Sequence, residues 1–384
     1  MAVAANASAN NYYRNNNEFV IKTHNIGIGL GTDVDPNINV VDELMINIIT
    51  ENYNYQYNDC YNGSVQGIHL FQEVHLNMLL LLTETQDIIL HQYNFNEYHN
   101  IINSKNRINA IYLHNKNKNN TDIILIYYRN KLVGHFISQY STYFSRENND
   151  YISHNSISYN GVIITKDFQM AEFCYVPNYM SHPMGIRSSF IYSITKTSSN
   201  YNFYVCSYHG YYPDPKKPNR INNTTYMFNS LIKQFDSLYV QSLENNEYIK
   251  PIVVFAGDFN FDFHQNDFLN TLLSQNENFK QFYDVHNIQN PTHFKIDNNG
   301  SIINEFQDHI ILSKNHNFNI KIVNCKADVI RSVNPNISLC DHTPIVLILS
   351  ANTNNNKYKQ KIIEHINNTS NNAEIYRRWK RLLR

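Results

Sequence analysis

The chain has 384 residues, enough for one large domain or two ordinary ones, and 42% hydrophobic content gives it material for a sizeable core. Its formal net charge is −1, but residues 351–384 hold 8 Lys/Arg against 2 Glu, a local +6, which leaves residues 1–350 near −7 with 23 basic against 30 acidic side chains. A body that acidic excludes a general polyanion binder and leaves long-range attraction to nucleic acid or anionic lipid to the tail. The 5 cysteines (60, 174, 206, 325, 340) show no CxxC pair, so neither a disulfide framework nor a zinc module is present. That usage predicts a reducing compartment.

In chain order, residues 1–17 are polar and Asn-rich; they read as disordered and lack the apolar core of a signal peptide. Phe19 to His24 is a strand reaching Asn25, followed by a turn punctuated by Gly27, Gly29 and Gly31. Pro36 opens a helix with Val40, Val41, Leu44, Met45, Ile48 and Ile49 at helical spacing. Ile68 to Phe71 is a strand leading to Gln72 and Glu73, and residues 75–92 read as a Leu-rich helix. Its apolar run, Met78 to Leu82, is far too short to span a bilayer.

Ile123 to Tyr128 is a buried strand. Residues 130–186 carry no clear pattern, and the polar stretch near 145–160 reads as an insertion. Ser189 to Thr195 and Asn202 to Tyr208 are strands, the second reaching His209. Met227, Leu231, Phe235 and Leu238 stripe a helix that returns the chain to the strand Ile252 to Ala256. Asp308 to Leu312 and residues 344–349 are the last strands. Strands and helices interleave over 18–350 without a linker, which predicts one α/β domain. Residues 351–372 form a polar linker, after which Ile375, Tyr376, Trp379, Leu382 and Leu383 stripe a basic helix suited to a membrane, nucleic acid or a partner.

The chemistry sits at strand ends: Asn25, Gln72-Glu73, His209, Gly257-Asp258-Phe259-Asn260, Asp308 and Asp341-His342. Each polar group closes an apolar strand, so the set can converge on one sheet edge. Carboxylate, carboxamide and imidazole together make a site for a hard cation with a proton-transfer group beside it. With 63 Asn in the chain, no single Asn carries much weight. His24, His69, His75 and His309 flank the motifs and read as bystanders.

In these six elements the chain resembles the endonuclease/exonuclease/phosphatase superfamily, the deoxyribonuclease I-like metal-dependent phosphoesterases. The resemblance spans about 18–350 and rests on Thr23-His24-Asn25, Phe71-Gln72-Glu73-Val74, Ser207-Tyr208-His209-Gly210, Gly257-Asp258-Phe259-Asn260, Asp308-His309-Ile310-Ile311 and Cys340-Asp341-His342-Thr343-Pro344. Two positions depart from the family pattern: Cys340 stands for its Ser and His309 for its aromatic residue. Neither removes a group the chemistry needs.

The resemblance implies a four-layer α/β/β/α sandwich of two packed mixed sheets flanked by helices. It implies Mg²⁺, or Mn²⁺ in its place, held by Glu73 with Asn25 and Asp341 nearby. Asp258 and Asn260 would orient and activate the attacking water, Asp308 would orient His342, and His209 would bind the phosphate or protonate the leaving oxygen. His342 would act on the phosphate or as general base. Arg187, Tyr211 and Lys216 are candidate substrate contacts. The expected activity is a phosphodiesterase on nucleic acid, with a phosphoinositide, sphingolipid or nucleotide as the alternative substrate and a non-catalytic binding module as the rival class. A soluble intracellular monomer, cytoplasmic or nuclear, without a membrane-spanning segment, is expected.

Overall fold

The computed structural model describes residues 18–27, 38–51, 66–94, 122–147, 150–176, 185–186, 189–198, 201–210, 251–260, 283–286, 288–296, 301–314, 316, 318–324 and 342–351. The helix expected around Met227 to Leu238, the N-terminal 1–17 and the basic tail lie outside them. So do Arg187, Tyr211, Lys216 and Asp341.

The strands in chain order are β1 (Glu18–Asn25), β2 (Gly67–Val74), β3 (Ile88–Asn94), β4 (Asp122–Tyr128), β5 (Lys131–Glu147), β6 (Asp150–Ile164), β7 (Phe168–Val176), β8 (Gly185–Ile186) and β9 (Ser189–Lys196). They continue as β10 (Tyr201–His209), β11 (Ile252–Asp258), β12 (Tyr283–His286), β13 (His293–Ile296), β14 (Ile302–Glu305), β15 (Asp308–Ser313), β16 (Phe318–Asn324) and β17 (Ile345–Ala351). Among the described residues the helices are α1 (Ile38–Thr50) and α2 (Leu76–Leu81), with one 3₁₀ turn.

Two mixed sheets result. One runs β16-β17-β1-β2-β6-β5-β4-β3 with β8 on β5; the other runs β12-β15-β11-β10-β9-β7. They pack face to face. Phe19 of β1 meets Phe168 and Phe203 of the second sheet edge-on, with ring centroids 5.6 and 5.4 Å apart. Nearer the site the interface turns polar: Ser207 Oγ donates to Phe71 O (3.0 Å) and accepts from Gln72 Nε2 (2.9 Å). The parallel pair β1–β2 needs a crossover, and α1 lies within it. Leu44, Met45 and Ile48 of α1 with Met78 and Leu79 of α2 cover Phe71, Ile124 and Phe136 on the outer face of the first sheet. The sandwich expected from the motifs is the fold found.

Contact density divides the chain into a large unit, Phe19–His316 with Lys321–Ile348, and a small one, Met1–Glu18, Asn317–Ile320 and Leu349–Arg384. Every described site residue belongs to the large unit. In the small one, Ser350 Oγ donates to Glu18 Oε1 at 3.2 Å.

The expected helix over 75–92 is corrected. The Leu run makes only α2, capped by His75 Nδ1, which accepts from Asn77 N (3.3 Å), and a 3₁₀ turn, Leu82–Glu84. Ile88 to Asn94 is instead β3, paired antiparallel with β4 in full register from Ile88↔Tyr128 to Asn94↔Asp122. Asp87, at φ 69°, turns the chain there, and the pairing with β4 overrides the local helical preference. The stretch near 145–160 that reads as an insertion is the far part of one hairpin, β5–β6, paired from Gly134↔Ile163 to Glu147↔Asp150.

Candidate active site

Strand register builds the site. Parallel β10–β11 sets His209 opposite Asp258, and antiparallel β11–β15 sets Asp258 opposite Asp308. The three side chains therefore form a row across neighbouring strands of the second sheet, which lie about 4.8 Å apart. In the first sheet, β1–β2 sets Asn25 opposite Gln72, one residue before Glu73. Because the sheets face each other, the two rows meet: Asn25 Nδ2 donates to Asp258 Oδ2 at 3.0 Å.

Gly257-Asp258-Phe259-Asn260 shows why each type is needed. Gly257 has φ 149°, and a Cβ there would lie 1.9 Å from Tyr208 O, so only glycine lets β10 and β11 close at this point. Phe259 is buried between Tyr208 and Phe255, with centroids at 4.8 and 5.0 Å, and anchors the end of the strand. Asn260, at φ 56°, donates its backbone N–H to Asp258 Oδ1 (2.7 Å) and its Nδ2 to Gly210 O (2.9 Å), which fixes the carboxylate. Asn tolerates that backbone region.

His342 precedes β17, and its Nδ1–H donates to Asp308 Oδ2 at 2.7 Å. Its Nε2 then lies 3.6 Å from Asp258 Oδ2 and 3.5 Å from Asn25 Nδ2. The β13–β14 hairpin braces this pair. Thr292 Oγ1 accepts the backbone N–H of Asp308 (2.9 Å), Thr292 O accepts from Thr343 N (2.7 Å), and the His293 ring packs 4.7 Å from that of His342. His293 Nδ1 is itself 3.0 Å from Glu305 Oε2.

Glu73 interrupts its strand: the β2–β6 register shifts between Phe71 and Val74, and Glu73 sits at φ 56°. Such a bulge re-aims one side chain out of the ladder. Glu73 Oε1 reaches His209 Nε2 at 3.2 Å, and Glu73 is the most exposed acid of the described site at 29%. A Cβ on Gly27 would lie 1.9 Å from Glu73 Oε2, so glycine leaves the space that carboxylate fills.

Burial dominates the electrostatics. It pushes the Asp258 carboxyl up to about 7; nearby His342 pulls it down, Asp308 and Glu73 push it further up, and the Asn260 N–H pulls it down. Burial also holds His24 well below the ordinary histidine range, with the charges of Lys22 and His342 adding to the depression and a hydrogen bond to the His342 backbone opposing it. One ligand atom each from Asp258, Asp308 and His342 lies within 4.8 Å of the others, a grouping able to hold a metal ion.

Of the sequence-derived residues, Asn25, Glu73, His209, Asp258, Asn260, Asp308 and His342 converge in one place, linked by the contacts above. Two carboxamides at the site have no counterpart among them. Gln139 Oε1 accepts from His209 Nδ1 (2.9 Å), and Asn160 Oδ1 accepts from Glu73 N (3.2 Å). Both lie within strands in the stretch without a readable pattern, where no strand-end signal marks them. His309 Nε2 lies 2.9 Å from Phe306 O.

No protein-family model matches the sequence, and no curated protein does. Solved structures similar to this chain include an endonuclease/exonuclease/phosphatase from Bacteroides vulgatus (12% identity, TM-score 0.47, 87% of this chain and 99% of the other). A truncated Caenorhabditis elegans TDP2 is similar at 12% identity and TM-score 0.45, over 87% of this chain and 98% of the other. The human Nocturnin catalytic domain is similar at 11% identity and TM-score 0.45, over 87% and 94%.

Proposed function

We propose that this chain is a divalent-metal-dependent phosphoester hydrolase of the endonuclease/exonuclease/phosphatase type that cleaves phosphodiester bonds in nucleic acid. The observation that carries the reading is the convergence of Glu73, Asn25, Asp258, Asn260, His209 and the Asp308–His342 pair at one mouth of the sandwich. A phosphodiester is anionic and repels nucleophiles, so its hydrolysis needs positioning and charge neutralisation more than covalent chemistry.

The residues present fit a hard cation. Glu73 is an outward carboxylate with its space kept by Gly27, beside further oxygen donors. Asp258 and Asp308 meet imidazole and amide groups but no Lys or Arg among the described residues, which leaves negative charge for a cation to balance. Glu73 would hold Mg²⁺ or Mn²⁺, with Asn25 and Asp341 nearby; the ion would neutralise charge on the phosphoryl oxygens. Asp258 and His342 are hydrogen-bonded into the site's own network and serve better as proton-transfer groups.

Asp258, fixed by Asn260, orients the attacking water and draws on its proton. Asp308 holds the His342 proton on Nδ1, so Nε2 faces the reacting phosphate and acts on it or as general base. His209 presents Nε2 from the other side of Asp258, where it binds the phosphate or protonates the leaving oxygen. A positioned acid or base contributes about 10²–10⁴ in rate.

A polymeric substrate is favoured over a small nucleotide by the β5–β6 hairpin. From Gln139, at the site, β5 runs on to Glu147 paired with β6, a further span of about 26 Å at 3.3 Å per residue. The reach of this paired backbone is the support for a polymer over a single phosphate. Arg187, Tyr211 and Lys216 remain proposed contacts on the same grounds as in the sequence.

The test is Mg²⁺-dependent hydrolysis over single- and double-stranded DNA, RNA, a phosphoinositide and sphingomyelin, with Glu73→Ala as control. Cleavage of nucleic acid, lost in the variant, is expected. Release of a lipid headgroup alone would move the chemistry to that substrate. Silence on every substrate from a folded protein would favour a binding module.

A further inference from the structure

The β5–β6 hairpin reaches the site where the sequence carries no motif. Gln139 lies opposite Ser158, and Asn160 opposite Ile137. Directly opposed residues share a face, so the two carboxamides are diagonal neighbours on the same face of the hairpin. Both are buried, at 1% exposure each.

Each oxygen serves a different half of the site. Gln139 Oε1 can only accept, so the 2.9 Å contact places a proton on His209 Nδ1 and fixes the ring's rotation. Nε2 is thereby turned to Glu73 Oε1 at 3.2 Å and Asp258 Oδ2 at 3.8 Å. Asn160 Oδ1 accepts the backbone N–H of Glu73, the residue at φ 56° in the bulge. Asn160 Nδ2 is buried with no acceptor among the described residues. A buried donor left that way is unfavourable, so the placement of Asn160 is accounted for by its oxygen rather than its NH₂ group.

We propose that Gln139 and Asn160 are positioning residues with separate charges: Gln139 sets the orientation of His209, and Asn160 sets the backbone of Glu73. The hairpin thus supports the imidazole side and the cation side of the site independently. This rests on the phosphoester-hydrolase reading above.

The test uses the full chain with Gln139→Met, Gln139→Glu, Asn160→Ala and Asn160→Asp, and three readouts. These are Mn²⁺ binding by electron paramagnetic resonance, kcat on a phosphodiester at saturating Mg²⁺, and ¹⁵N imidazole shifts of the ion-free protein. Asn160→Ala should weaken Mn²⁺ binding by about 10–100-fold, an effect larger than its effect on kcat. Gln139→Met should lower kcat by about 10–100-fold, more than it changes Mn²⁺ binding. Gln139→Glu and Asn160→Asp, which keep the accepting oxygen, should recover most of the orientation. The wild-type His209 spectrum should show the proton on Nδ1.

Equal shifts of kcat and Mn²⁺ binding in both series would overturn the division of labour. Should Met or Ala variants not fold, an unprotonated Nδ1 in the wild type would overturn the Gln139 half, and unchanged Mn²⁺ affinity in a folded Asn160→Ser would overturn the other. A wild type that hydrolyses no phosphoester while Mn²⁺ binding and the imidazole spectrum respond as stated would sink the hydrolase reading and leave the positioning intact.

Discussion

Two regions meet at this site and differ in how they supply it. The strands β10, β11 and β15 end or begin on His209, Asp258 and Asp308, and simple register lines these three up. The β5–β6 hairpin contributes Gln139 and Asn160 from within long strands. The first region carries His209, Asp258 and Asp308; the second touches His209 through Gln139 and the backbone of Glu73, in β2, through Asn160. Strand ends can be read from the sequence as polar groups closing apolar runs, whereas Gln139 and Asn160 touch the site from mid-strand, where no such boundary marks them.

Substitutions probe the comparison in decreasing order of effect. Glu73→Ala should abolish metal-dependent turnover while the protein stays folded, checked by circular dichroism, because Glu73 is partly exposed in its bulge. His342→Ala and Asp258→Ala should each lower kcat by about 10² or more, and near-wild-type turnover in either would remove that residue from the machinery. Gly27→Ala should weaken activation by Mg²⁺ by about tenfold, since the new methyl contests the space of Glu73 Oε2.

A smaller effect concerns stability. The Asp258 carboxyl titrates at about 7 in the folded ion-free protein against 3.8 for its ordinary value, mainly through burial. The folded state therefore binds the extra proton, and this contribution to stability, complete below about pH 4, is lost as pH rises through 7. Asp258→Asn should raise the melting temperature of the ion-free protein at pH 8, with a smaller gain at pH 5, where the wild-type carboxyl is already neutral. An equal gain at both pH values would contradict the burial of an ionised Asp258. Smallest of all, deleting 352–384 should leave turnover of a small soluble diester unchanged, as the described site contains none of those residues.

Much of the fold was legible because apolar runs such as Ile252 to Ala256 alternate with polar ends, and those ends include the residues that converge. What failed did so for physical reasons. The Leu run after His75 has helical propensity, yet Ile88 to Asn94 gains more by pairing with β4 along its whole length. The hairpin was opaque because its sequence has no apolar run closed by a polar group at Gln139 or Asn160, and only the register of the partner strand puts the two on one face. Nothing near Asn160 in sequence signals that its oxygen holds the backbone of Glu73, 87 residues away. Among the described residues no helix is long and apolar enough to cross a membrane, in keeping with the short apolar runs.

The most direct test of the central claim is hydrolysis of a chromogenic phosphodiester by wild type and Glu73→Gln across a Mg²⁺ titration, with Mn²⁺ binding followed in parallel. The account predicts saturable, cation-dependent turnover in the wild type, and loss of both turnover and tight Mn²⁺ binding in the variant. Turnover that ignores the cation, or a variant that binds Mn²⁺ and works as well as the wild type, would contradict it.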